Sequence, residues 1–226
     1  FFELTSLTTK TSDQIKIKKV RLNEIKGMID SFSIKEEKFI DEIYYVNLGV
    51  SFNKKFFFQY LEKKNIFPSK IIKEKFLFIP IIIDQNDNDL TIFSNNLIYK
   101  KWNIINEEFH LINYLLPTED LEDLSTIKRN YDFIENYDFK EIIRKYYLDN
   151  CIIALFFKND QDIRILSKII TKDKVVIKND SFSKFDLQNE EKIDFLISKL
   201  KNTYEDTWKD FNQINTSIKL PIVLRV

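Results

Sequence analysis

Within LLPTEDLEDL, residues 115–124, four carboxylates follow an apolar run: Glu119, Asp120, Glu122 and Asp123. Acidic side chains this close together fit two chemistries. Converging on a cleft, two or more of them hold a divalent metal or act as a general acid and base. At the start of a helix they serve the backbone instead. Asp120 as N-cap accepts from the Asp123 amide, Asp123 reaches back to the Asp120 amide, and the remaining carboxylates sit where the helix dipole favours negative charge. Pro117 ends the preceding strand. The spacing predicts the cap, and a metal or acid–base site at 119–123 is the alternative.

Other reactive groups are few. His110 is the only histidine and Cys151 the only cysteine, so a zinc site from His and Cys lacks ligands, and a Ser-His-Asp or Cys-His arrangement would have to use His110, which reads as a partly exposed strand residue. Cys151 lies in the apolar run NCIIALFF, where burial raises a thiol's pKa and makes it inert. DQNDND from Asp84 places Asp84, Asn86 and Asn88 at the first, third and fifth positions of a calcium loop. The sixth is Asp89 where the turn needs glycine, and the twelfth is Asn95 where the ion needs a bidentate Glu. An acidic hairpin turn is the expectation there. Gly27 and Gly49 are the only glycines, which excludes the glycine-rich loops that cradle phosphates. No cofactor is expected.

Lys plus Arg and Asp plus Glu are both 35 among 226 residues, so no global field attracts nucleic acid. KIKKVR at 16–21 is a local basic stretch only, and nucleic-acid binding is the third reading. The longest apolar run, FLFIPIII, has eight residues, against the roughly 20 that a membrane helix needs. The chain starts without methionine and ends in a strand-like LPIVLRV, as expected of a fragment or processed product.

Two units must position these residues. From Leu22 the spacing of Leu22, Ile25, Met28, Ile29 and Phe32 predicts a helix, with Gly27 as its weak point. SFSIKEEKF and IYYVNLGVSF then alternate around a turn as an antiparallel hairpin, and Asn53 caps a helix carrying Phe56, Phe57, Tyr60 and Leu61. This is a small α+β module at 1–70. Residues 71–217 read as a mixed-sheet α/β domain with helices on both faces. KFLFIPIIID forms a buried strand and LTIF a short return, followed by a helix with Trp102, a strand to Pro117 and two helices around 120–128 and 138–147. An antiparallel meander and a long amphipathic helix close it. Residues 218–226 are expected to begin a further strand or a truncated next domain.

The order YYVNLGVSFN, FLFIPIII, LLPTEDLED and IIRKYYLDNCIIALF resembles an uncharacterised proteobacterial envelope-protein family, domain of unknown function 2066. The matching positions are Phe52, Asn53, Pro80, Trp102, Pro117, Asp120, Asp123 and Tyr146. Ile98 and Tyr147 stand where that family has tryptophan and glycine. The resemblance implies a periplasmic or cell-envelope location and an α/β domain like those of envelope lipoproteins that bind other proteins. The expected function is therefore non-enzymatic, through contacts with another protein. No nucleic-acid partner and no membrane span are expected, and the sequence leaves the oligomeric state open.

Overall fold

The computed structural model describes residues 1–105, 109–160, 162–187 and 189–214. The strand expected at 218–226 lies outside them. The chain forms two units, one of Phe1–Ile71 with Asp206–Val226 and one of Ile72–Glu205. The expected mixed α/β class is observed: a two-stranded hairpin, a six-stranded mixed sheet and a long C-terminal helix.

In the first unit, helices α1 (Phe2–Thr8), α2 (Thr11–Ile17) and α3 (Leu22–Lys26) precede strands β1 (Ile29–Ile40) and β2 (Ile43–Phe52) and helix α4 (Lys54–Lys63). The helix expected through Phe32 stops at Lys26, because Ile29, Phe32 and Ile34 pair with β2 instead. Sheet pairing of β-branched and aromatic residues overrides their helical spacing. Asn53 caps α4 as expected, its Oδ1 accepting from the amides of Lys55 and Phe56 at 3.1 and 3.2 Å. Phe57, Tyr60 and Leu61 of α4 join Ile17, Met28 and Ile66 in a small core, whereas Phe56 is exposed. Asp41 and Glu42 link β1 to β2 with φ of 49° and 64°, the left-handed pair whose twist suits a two-residue hairpin turn.

Helix α8 (Glu190–Phe211) passes from one unit to the other along its length. Its residues from Asp206 on, expected with the second unit, belong to the first: Asp206 Oδ1 accepts from the Thr11 amide at 2.8 Å, and Lys209 Nζ donates to the Ser6 carbonyl at 2.7 Å. Burial pushes the Asp206 carboxyl up.

In the second unit, β3 (Glu74–Asp84) is the central strand. It runs parallel to β5 (Ile112–Leu115) and β6 (Cys151–Lys158), and antiparallel to β4 (Asp89–Thr91). Strands β7 (Asp162–Ile170) and β8 (Val175–Ser183) extend the sheet as the expected antiparallel meander. Helices cover both faces. Ile79 and Ile81 of β3 pack with Ile127 of α6 (Leu121–Arg129) and Ile142 of α7 (Lys140–Lys145). On the other face Phe78 meets Trp102 of α5 (Leu97–Trp102) and Tyr204 of α8. Pro80 lies between the short pairings of β4 and β5, and the buried Asn96 fills that gap, donating to the Pro80 carbonyl at 3.0 Å. Its Oδ1 also caps α5 through the Ile98 amide at 2.8 Å. Among the described residues no helix is long and apolar enough to cross a membrane.

Candidate functional site

The acidic stretch forms a joint between elements rather than a converging carboxylate pair. Asp120 is the N-cap of α6, accepting from the amides of Glu122 at 2.8 Å and Asp123 at 3.3 Å. Asp123 does not reach back to close the box. Its side chain is buried, and Oδ1 lies 2.5 Å from Lys145 Nζ, which also contacts Asp120 Oδ2 at 3.0 Å. Lys145 and the capped amides hold the Asp120 carboxyl below its ordinary range, while the two aspartates push the Lys145 ammonium up. Glu119 turns away to accept from the Ser94 amide at 3.0 Å. Tyr99 donates to the Pro117 carbonyl at 2.7 Å, and the Tyr146 hydroxyl accepts from the Thr118 amide at 2.8 Å. Pro117, Asp120, Asp123 and Tyr146 are thus brought together, whereas Trp102 is in the core on the opposite side of the sheet and Glu122 is exposed. A groove of about 470 Å³ is walled by Asp89, Glu119, Asp120 and Lys128, and all but Lys128 are carboxylates already engaged with amides or lysines.

This electrostatic arrangement predicts a pH dependence. The folded Asp120 carboxyl lies below its unfolded value, so its stabilisation is complete above the ordinary aspartate range and is lost as pH falls through the lowered folded value. Lys145→Met removes the counter-charge from both aspartates, and one of them is buried. Urea unfolding is expected to show a marked loss for Lys145→Met at about pH 7 that narrows toward about pH 3 as the Asp120 carboxylate protonates. An equal loss at both pH values would mean that the lysine acts through packing alone.

The other candidates are also structural. Asp84 Oδ1 accepts from the amides of Asn86 and Asp87 at 3.0 and 3.4 Å, and Oδ2 contacts Lys158 Nζ at 2.8 Å. The Lys158 contact holds Asp84 below its ordinary range. That is the side-chain-closed turn expected of the DQNDND hairpin. Among the described residues no group of three or more His, Cys, Asp or Glu is arranged to hold a metal. Cys151 is fully buried, and burial pushes its thiol up. In the basic stretch, Lys16 pairs with Asp13 at 2.7 Å and Ile17 enters the core.

His110 lines an open groove of about 670 Å³ at the starting ends of β3, β5 and β6, with Lys73, Lys75, Asp149 and the exposed Tyr147. Tyr147 has a φ of 51°, backbone that favours glycine. Behind His110 stands a residue that the sequence reading missed. Glu205 of α8 is buried, accepting from the amides of Ile112 at 2.7 Å and Leu111 at 3.0 Å, with His110 Nδ1 at 3.4 Å. Lys201, one turn earlier, is also buried and donates to the Ile105 carbonyl at 2.5 Å. The helical period put both on the charged face of α8; their i, i+4 spacing, which aligns two opposite charges on one line of the helix, was the available signal.

The feature with no structural use is the hairpin. Alternation, shifted by a bulge between Ile34 and Glu36, places Phe32, Ile34, Glu37, Phe39, Tyr44, Val46, Leu48 and Val50 on one face, with Ile34 opposite Leu48 and Phe39 opposite Tyr44. All seven apolar members are exposed. Glu37 is the only charge among them, and its carboxylate accepts a hydrogen bond from the Tyr44 hydroxyl, raising that phenol's pKa. The opposite face carries Ser31, Ser33, Glu36, Lys38, Asn47, Gly49 and Ser51, and is apolar only near the turn, at Tyr45 and the Ile40–Ile43 pair. Such an amphipathic sheet face is normally packed against a core. At its root, where Phe52 meets Phe1, α1 forms the wall of an open groove. No protein-family model, no curated protein and no solved structure matches this chain.

Proposed function

We propose that this chain is a non-catalytic protein-contact module, that the bare face of the β1–β2 hairpin makes the contact, and that it works in the periplasm or cell envelope. The supporting observation is the hairpin face itself, seven exposed apolar residues on one side of the two strands. A two-stranded hairpin is marginal in water by itself, and large contiguous apolar patches mark interaction sites. The acidic stretch, the turn at Asp84 and the buried Cys151 are each accounted for by capping, turn closure or packing, so the hairpin is the surface left with chemistry to offer. Its envelope location rests on the sequence resemblance.

The test replaces Phe32, Ile34 and Leu48 together by threonine, which keeps strand propensity while removing apolar area. These side chains are exposed, so the melting temperature is expected to hold within a few degrees. Protein contacts, whether with other chains or with itself, are expected to be lost in chemical cross-linking of cells expressing the variant. Unchanged cross-linked species would contradict the proposal. Release of the protein by osmotic shock checks the compartment, and retention with the cytoplasmic fraction would contradict that part.

A further inference from the structure

We infer that a second copy of this chain covers the hairpin face. In this two-fold contact the tip of each hairpin, Phe39 with Tyr44, seats in the groove at the root of the other. This rests on the reading of that face as a protein-contact surface and names its occupant.

Area favours it. Full side chains of these types present roughly 150–200 Å², so at their exposures of 40–72% the seven residues leave about 700 Å² bare in each copy. The largest apolar patch of an ordinary monomer is roughly 300–600 Å². Pairing the face with itself would bury about 1,400 Å² in total, inside the range of about 1,200–2,000 Å² for stable interfaces.

Shape favours it as well. Phe1, Leu4 and Leu7 of the α1 side, with Leu48, Val50 and Phe52, are the apolar lining of a groove of about 580 Å³ at the root, which Glu3 and Ser51 also border. The tip presents two rings directly opposite each other, Phe39 at 72% and Tyr44 at 58% exposed. At about 3.3 Å per residue, tip and groove are about 25 Å apart in each copy. A two-fold axis near Ile34 and Leu48 therefore brings both tips onto both grooves at once, the self-complementarity that an isologous contact requires. The face is two strands wide, which a second two-stranded face packed about 10 Å away matches better than the single stripe of a helix.

Charge opposes it only at the ends, where Glu3 in the groove and Asp41 and Glu42 at the turn are carboxylates that salt must screen. Glu37 is the one charged residue on the face and is hydrogen-bonded by Tyr44, while Glu36 and Lys38 pair with each other at 2.5 Å on the far side. Nothing on the face calls for a basic partner.

Light scattering on the intact chain is expected to give twice its mass of 27.3 kDa at tens of micromolar. The double variant Phe39→Asp/Tyr44→Asp is expected to return it to the single mass with an unchanged circular dichroism spectrum. Mixing Phe39→Cys protein with Leu7→Cys protein under oxidation is expected to give a disulfide-linked heterodimer, since the native Cys151 is buried. Lys38→Cys, on the other face, is expected to give none with Leu7→Cys. A single-chain mass up to about 100 μM, weaker than roughly −5.5 kcal/mol of association, overturns the inference. So does a dimer that survives the tip variant or fails to cross-link tip to root. A monomer whose threonine-substituted face still loses contacts with other proteins overturns this inference and leaves the protein-contact reading standing. A monomer with no such loss removes both.

Discussion

Trp102→Ala is expected to lower the unfolding free energy by about 3–5 kcal/mol and the melting temperature by on the order of 10 °C. Trp102 is fully buried, stacked on Phe78 at 3.7 Å between ring centroids, with Tyr114 edge-on at 5.3 Å and Tyr204 at 6.1 Å. Removing the indole opens a void between the central strand and two helices that cross it, and rigid rings on three sides cannot collapse to fill it. Trp102→Phe keeps the stack on Phe78 and is expected to lose much less. Thermal denaturation followed by circular dichroism separates the two variants; equal losses would mean that the ring stack contributes little beyond the indole's bulk. Tyr204 belongs to the same cluster, its hydroxyl bonded to Ser167 at 2.8 Å, and burial pushes that phenol up.

Glu205→Ala is expected to cost on the order of 3 kcal/mol or more, because two buried backbone amides, those of Leu111 and Ile112, lose their acceptor together and each orphaned group costs about 1–3 kcal/mol. Those amides open β5, so the loss is expected to appear first as faster hydrogen exchange over Ile112–Leu115 and in the adjacent start of β3. Glu205→Gln retains one carbonyl acceptor and is expected to fall between wild type and alanine. Slow exchange in β5 of the alanine variant would show that water or another group replaces the carboxylate.

Much of the second unit is legible in the sequence because its signals are local. The continuous apolar run of β3, the cap at Asp120 and the stop at Pro117 each depend on residues a few positions apart. The same holds for Asn53 and the hairpin in the first unit. What was not legible depends on distant partners. Residues 29–32 fit a helix by spacing and became strand because β2 lies alongside. The last turns of α8 fit a helix across the second sheet, yet Asp206 and Lys209 bind Thr11 and Ser6, close to 200 residues away in the chain. Asp123 satisfies the capping-box spacing, but Lys145, 22 positions later, takes its carboxylate. The helices over Phe2–Ile17 carry little amphipathic pattern, so nothing in their text announces them.

The candidate surface was half legible. Alternation in SFSIKEEKF and IYYVNLGVSF gives the hairpin, but period two from Ile34 puts Phe39 on the other face, and only the bulge between Ile34 and Glu36 returns it to the apolar one. That it stays uncovered follows from the tertiary arrangement, since the core of the first unit is built from α2, α4 and the ends of the hairpin and leaves the outer part of both strands free.

Photo-cross-linking from the two faces of the hairpin tests this surface most directly. A benzophenone amino acid placed at Phe39, on the apolar face, is expected to yield discrete protein adducts in the cells that make the chain, and the same group at Asn47, on the polar face, is expected to yield few. Adducts at twice the chain mass identify a second copy, and other masses a different protein. No protein adduct from Phe39, or equal yields from both faces, would contradict the claim that the bare face of the hairpin is where this protein makes its contacts.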